Sequence, residues 1–221
     1  HVINVVLHAI NALLIWAILQ QLGIRWAWLI GAIFALHPVH AESVAWITER
    51  KNLLSGMFYL LSINSYLRFK ADEKLKWYIG ALGLFMLALL SKTVTASLPV
   101  VLLLIHWMRG WRVGWRDLRL LSPFFILGLG MGLLTAWYEV HHVGARGEEW
   151  ALSMGQRVLL SGRALWFYAM KLVLPVNLTF IYPRWDLDVR DIVQWLWLAG
   201  FIVLMLALWF FRERSGRGPL A

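Results

Sequence analysis

Between His37 and Lys51 the chain reads His-Pro-Val-His-Ala-Glu-Ser-Val-Ala-Trp-Ile-Thr-Glu-Arg-Lys. His37, His40, Glu42, Glu49, Arg50 and Lys51 are thereby gathered between strongly apolar segments. Ionisable groups are costly in or beside hydrocarbon, so a concentration of them there reads as a functional site. Arg50 and Lys51 suit a phosphate, the guanidinium as a two-pronged donor and the ammonium as a point charge. Glu42 and Glu49 are the carboxylates of this stretch that a general base would need. His37, His40 and Glu42 also admit a metal reading. Histidine three residues from histidine is poor ligand spacing, however, and no helical His-x-x-x-His follows. Histidines held by carboxylates or carbonyls fit better, so no metal ligand is assigned and a divalent metal stays open.

Other sets have the right chemistry at a distance. His1, Asn4, His8 and Asn11 recur at helical spacing and share one face, which must turn towards other helices or a hydrated cavity. Interhelical hydrogen bonding explains them, and so does lining of a substrate pocket. Lys92 follows a short apolar run and is flanked by Ser91 and Thr93. It either snorkels to headgroups or reaches into a cavity. Tyr182, Arg184 and Trp185 combine ring stacking with hydrogen bonding, as sugar sites do, although an interfacial loop anchored by aromatics looks the same. No Ser-His-Asp arrangement or glycine-rich phosphate loop occurs, and with Cys 0 there is no thiol chemistry.

The elements that must hold these residues are set by composition. The chain has 221 residues, 61% hydrophobic and only 15% charged, against about 25% charged in soluble domains. An all-α, polytopic transmembrane bundle follows. A crossing needs about 20 mostly apolar residues. The candidate runs are Val2 to Leu22, Trp26 to Leu36, Leu53 to Leu67, Trp77 to Leu90, Val94 to Met108, Leu120 to Val140, Val158 to Pro175 and Ile192 to Phe211. About seven spanning helices are expected, plus interfacial or re-entrant ones, in a single membrane domain over residues 1–221. Pro38 should end the second run. A short amphipathic helix should begin at Ala41, with Glu42, Ala45, Trp46 and Glu49 on one face. The next helix should open at Glu49-Arg50-Lys51.

The net charge of +9 sits in clusters between apolar runs, which is the pattern of cytoplasmic loops and anionic lipid rather than of nucleic acid. Arg68, Lys70, Lys74 and Lys76 form one basic loop, and Arg109, Arg112, Arg116 and Arg119 another. With Arg212, Arg214 and Arg217 also cytoplasmic, His37 to Lys51 and Lys92 fall on the opposite side, facing the periplasm, the exterior or the ER lumen. Val158 to Pro175, which contains Arg163 and Lys171, is expected to lie along the interface, re-enter, or sit against other helices.

The run from His37 to Ser55 resembles the signature of the transmembrane and tetratricopeptide-repeat (TMTC-like) proteins, relatives of membrane O-mannosyltransferases of the GT-C superfamily. His1 to Leu14, Leu90 to Pro99 and Pro175 to Trp185 agree with it. The resemblance implies a GT-C-like enzyme that moves a sugar, mannose or similar, from a polyprenyl- or dolichyl-phosphate carrier to a protein acceptor outside the cytoplasm. No other cofactor is implied. It also implies acidic catalytic residues in an external loop ahead of His1 and tetratricopeptide repeats at the far end. The chain is accordingly expected to be a fragment that holds the donor pocket without the base. By motif position Arg50, Lys51 and Lys92 are the donor-phosphate candidates. Asn4, His8, His37, His40, Glu42, Tyr182 and Arg184 are the pocket-lining ones. Asn52 stands where related sequences often carry Asp. The alternative is a non-catalytic membrane anchor or scaffold displaying a repeat domain.

Overall fold

Each of the eight apolar runs forms a helix. The structure, a computed structural model, describes residues 1–111, 114–143, 152–179 and 181–215. Arg112 and Arg217 lie outside the described residues. The chain forms two compact units, His1–Tyr138 and Glu139–Ala221. The helices of the first are α1 (Val2–Gln21), α2 (Ala27–Leu36), α3 (Ala41–Ala45), α4 (Arg50–Asp72), α5 (Leu75–Ser91), α6 (Leu98–Met108) and α7 (Trp115–Tyr138). A π turn, Glu139–Val143, precedes α8 (Met154–Val173) and α9 (Ile192–Ser215) in the second. No strand occurs among the described residues.

Helix ends follow local chemistry. His37 is extended at φ −69°, ψ 126°, as a residue before proline prefers, so α2 stops there. Glu73 closes α4 in the left-handed region at φ 54°, with its N–H on the Phe69 carbonyl at 2.8 Å. Ser153 caps α8 by a reciprocal capping box with Gln156.

The first unit's core is a cluster of Tyr66, Phe85, Leu89, Leu98, Leu102, Leu121 and Phe124, all but sealed from solvent. Polar ties cross it. Ser62 Oγ donates to the Ala81 carbonyl at 2.7 Å, joining α4 to α5, and the Tyr78 hydroxyl donates to the Leu120 carbonyl at 2.9 Å. In hydrocarbon such ties add specificity where burial of apolar surface supplies little force. Gly128 of α7 permits a close approach: a Cβ there would stand 3.1 Å from the Ala96 carbonyl oxygen.

The outward surface suits lipid. Among the described residues three helices are long and apolar enough to span a membrane: Val2–Gln21, Trp115–His142 and Ile192–Phe211. Ala27–Leu36, Leu75–Ser91 and Thr93–Met108 are apolar but shorter. The 17 residues of α5 make roughly 25 Å of helix at 1.5 Å per residue, less than the hydrocarbon thickness of about 30 Å. Length and composition alone therefore support fewer crossings than the sequence suggests. The chain is an all-α membrane protein.

One expectation is corrected. Glu42, Ala45, Trp46 and Glu49 do not share a helical face, because α3 ends at Ala45, Trp46 is extended at φ −92°, ψ 125°, and a separate 3₁₀ turn covers Ile47–Glu49. The cause is tertiary. The buried Asn4 amide donates to the carbonyls of both Val44 (3.2 Å) and Trp46 (2.8 Å), drawing off acceptors that a continued helix would use. His1, the N-cap of α1, is exposed, whereas Asn4, His8 and Asn11 of the same stripe are buried.

Candidate functional site

In the first unit the basic loops and the His37–Lys51 segment occupy opposite ends. At the basic end Lys70 Nζ lies 2.8 Å from Asp117 Oδ1, and Arg116 pairs with Glu73 at 3.3 Å, so the two basic loops adjoin. Arg109 donates to the Leu22 carbonyl at 3.0 Å. These cations are held by carboxylates and helix ends.

At the other end the candidates from distant parts of the sequence do meet. Lys92 Nζ donates to Asn52 Oδ1 at 2.6 Å. Asn52 Nδ2 donates to Glu49 Oε2 at 2.5 Å and to Ser43 Oγ at 3.2 Å. Lys51 Nζ stands 3.6 Å from the other oxygen of Glu49. Asn52 is thus the hub: its amide carbonyl takes one cation while its NH₂ binds the carboxylate that takes the other. Lys51 and Lys92 are both exposed, so each ammonium can change partners.

Arg50 points elsewhere. Its Nε donates to Asn4 Oδ1 at 3.3 Å, because one residue along a helix turns the side chain about 100°. Asn4 therefore clasps the break after α3 on one side and the start of α4 on the other. Arg50 stands apart from the Lys51–Glu49–Asn52–Lys92 chain. Glu42 is exposed on α3, whereas Glu49 is engaged by Asn52 and Lys51.

The histidines line the wall beneath. His8 Nε2 lies 3.1 Å from the Ala35 carbonyl oxygen. Its ring stacks on Phe34 at 5.2 Å, Phe34 meets His40 at 4.3 Å, and His37 lies 6.4 Å from His40. His37 Nδ1 accepts from the Val39 N–H at 3.2 Å, which fixes the turn after Pro38. Burial, with smaller contributions from His8 and His37, pushes His40 down from 6.5 to about 4. Among the described residues no group of three His, Asp or Glu side chains is placed to hold a metal ion. A cavity of about 280 Å³ lies against this wall, with His8, Asn11, His40, Ser43, Asn52 and Tyr59 among its polar lining.

Tyr182 and Arg184 belong to the second unit. There the segment after α8 folds back on that helix: Lys171 Nζ donates to the carbonyls of Val176 (2.6 Å) and Asn177 (3.2 Å). Phe167 receives Tyr182 and Trp185 edge-on at 4.9 and 5.4 Å, and the Arg163 guanidinium sits 4.5 Å over the Trp185 ring. Tyr182 and Arg184, with Arg157, line a cavity of about 570 Å³. The Tyr182 hydroxyl is already engaged, accepting from the Thr179 N–H at 3.1 Å and donating to the Asn177 carbonyl at 3.3 Å. Gly162 lets α8 meet α9, where a Cβ would come within 3.0 Å of Leu198 Cβ.

Asn52 and Ser43 join the site from outside the expected set, while Asn11 lines the cavity with His8, one of the two readings of the polar face of α1. Asn52 lies inside the most distinctive motif and Asn11 on the polar face of α1, so both carried a signal. The role of Ser43 depends on contacts across nine residues that no periodicity reports.

The fold and site define a helical membrane protein with a polar, cation-flanked crevice at one end of its first unit. Known proteins place that class more narrowly. The chain is 33% identical over 136 residues (58% of this chain, 14% of the relative) to the protein O-mannosyl-transferase Tmtc2 of Drosophila melanogaster. It is 35% identical over 105 residues (44% and 12%) to Tmtc1 of the same fly, and 29% identical over 103 residues (46% and 11%) to human TMTC3, both named protein O-mannosyl-transferases. The chain is thus TMTC-like, and it spans only 11–14% of the length of these relatives. No family model and no solved structure matches it.

Proposed function

We propose that this chain carries the carrier-phosphate end of a multi-pass, GT-C-type membrane glycosyltransferase. The enzyme takes mannose or a similar sugar from a polyprenyl or dolichyl phosphate and transfers it to a protein hydroxyl on the non-cytoplasmic side. The relatives' names support sugar transfer to protein. The observation that carries the donor chemistry is the meeting of Lys92 and Lys51 around Asn52 and Glu49, bridged by the 2.6 Å contact between residues 40 positions apart.

The chemistry follows from the charges. The bond between the anomeric carbon and the phosphate oxygen breaks, and its electron pair stays on the phosphate. The acceptor oxygen forms the new bond to that carbon and gives up its proton to a base. Negative charge grows on the leaving phosphate, where two ammonium groups at a low-dielectric boundary stabilise the transition state more than the ground state. Lys92 and Lys51 exchange their present partners for phosphate oxygens. Arg50, tied to Asn4, positions the start of α4. Glu49 is engaged by Asn52 and Lys51, and Glu42 is exposed on α3, so neither is assigned as the base.

The test is sugar transfer by the full-length protein in vesicles containing a polyprenyl-phosphate mannose. Lys92→Ala and Lys51→Ala should each lower turnover while the protein remains folded. Wild-type turnover in both removes the phosphate role, and no transfer by the wild type with any such donor supports the scaffold.

A further inference from the structure

The second unit holds cations that the proposed chemistry does not use. Arg163 lies over the Trp185 ring, and Lys171 holds the carbonyls of Val176 and Asn177. Arg157 and Arg184 instead line the cavity of about 570 Å³, a size within the roughly 300–1,000 Å³ of small-molecule sites. Both arginines are exposed, so a molecule entering the cavity reaches them. Arg157 Nε donates to the Leu152 carbonyl at 3.0 Å, which anchors that side chain at the start of α8. No described lining residue is Asp or Glu. The rest of the wall is largely apolar. Phe167, Tyr168, Tyr182 and Trp185 supply four rings, and leucines supply aliphatic surface. The Tyr182 hydroxyl already binds Thr179 and Asn177, so this residue offers its ring.

An anion with an apolar body matches such a site, and the surroundings select the anion. Helix α9 has no buried residue among its described ones and is long and apolar enough to span a membrane, so the unit lies among lipid. An arginine beside hydrocarbon is costly unless a counter-charge accompanies it. A guanidinium takes phosphate oxygens in pairs. We infer that this cavity binds the phosphate of a membrane lipid on Arg157 and Arg184, with the first carbons of its chain along Phe167, Tyr168 and Trp185. Basic pockets on membrane helices take lipid head groups in this way. The site uses neither Lys51 nor Lys92 and does not depend on the donor proposal. A phospholipid of the bilayer and a polyprenyl phosphate share this chemistry, and the test tells them apart.

The experiment uses full-length protein in dodecyl maltoside micelles, which contain no phosphate. Three photoactivatable probes carry a diazirine near the head of the chain: phosphatidylglycerol, polyprenyl phosphate and diacylglycerol. Labelled peptides are mapped by mass spectrometry. At least one phosphate-bearing probe should label residues 157–187 well above diacylglycerol. Substituting Arg157→Gln and Arg184→Gln together should cut that labelling about tenfold or more, while labelling along α9 stays unchanged. If phosphatidylglycerol alone behaves so, the ligand is a bilayer phospholipid; if polyprenyl phosphate alone does, it is the carrier; if both do, the site accepts either. Labelling by neither phosphate probe, equal labelling by diacylglycerol, or labelling that survives the double substitution overturns the site. If the double variant fails to fold, Ala164→Trp decides, because it fills the cavity and leaves both arginines in place. Loss of labelling within 157–187 with α9 labelling retained supports the site, and unchanged labelling overturns it.

Discussion

Lys92 Nζ and Asn52 Oδ1 are 2.6 Å apart, joining the turn after α5 to the first turn of α4. Through Asn52 the lysine is coupled to Glu49 and so to Lys51. This one contact unites two stretches that the sequence keeps 40 residues apart.

Lys92→Ala should lower sugar transfer about a hundredfold, the scale of losing one fixed donor to developing charge. Asn52→Ala should also lower it, by releasing Lys92. Because the two residues act as a unit, the double variant should be scarcely worse than Lys92→Ala alone. Turnover measured across the four proteins checks this, and fully multiplicative losses would show the residues to be independent.

Asn4→Ala should destabilise the first unit by about 2–4 kcal/mol, since it removes hydrogen bonds to the carbonyls of Val44 and Trp46 and to Arg50 from a fully buried site. Thermal melting of the detergent-solubilised protein measures it. Asn4→Asp should be nearly as damaging, because a carboxylate cannot donate to two carbonyls.

His40 supplies a pH dependence with a definite sign. Its pKa falls from 6.5 to about 4 on folding, so below pH 6.5 the unfolded chain binds the extra proton. Above that pH both states are neutral at this residue and it contributes no slope. Stability should therefore fall as pH drops from about 6.5 to about 4. His40→Asn should flatten this part of the melting-temperature profile, and an unchanged slope would place the proton elsewhere.

Gly128→Val should act on the site from below. The new side chain meets the Ala96 carbonyl and Cα, in the 3₁₀ turn Thr93–Ser97 that directly follows Lys92. Overpacking of this kind costs about 1–3 kcal/mol. It should shift Lys92 and lower turnover together with the melting temperature, whereas Gly130→Val, with nothing within 4 Å of its Cβ, should change neither.

Much of the fold was legible because it is local. Apolar run length gives the helices, Pro38 ends α2, and the polar spacing on α1 marks its buried face. The gathering of the basic loops at one end, and of Lys51 and Lys92 at the other, follows from alternating helix direction. What escaped depends on single long-range contacts. Nothing near Trp46 announces that Asn4 will break the helix there. Arg50 and Lys51 are adjacent and both basic, yet one turns to Asn4 and the other to Glu49. The cavity depends on packing between α1, α2 and α4, which periodicity does not encode. Asn52 drew notice only as a departure from Asp, yet an amide is what can accept from Lys92 and donate to Glu49 at once.

The most direct test is a structure of the full-length protein with bound polyprenyl-phosphate mannose. The phosphate should lie within hydrogen-bond reach of Lys92 and Lys51, with the Lys92–Asn52 contact opened or shared. A phosphate held by other residues, with Lys92 still bound to Asn52 and Lys51 to Glu49, would contradict the donor site proposed for this chain.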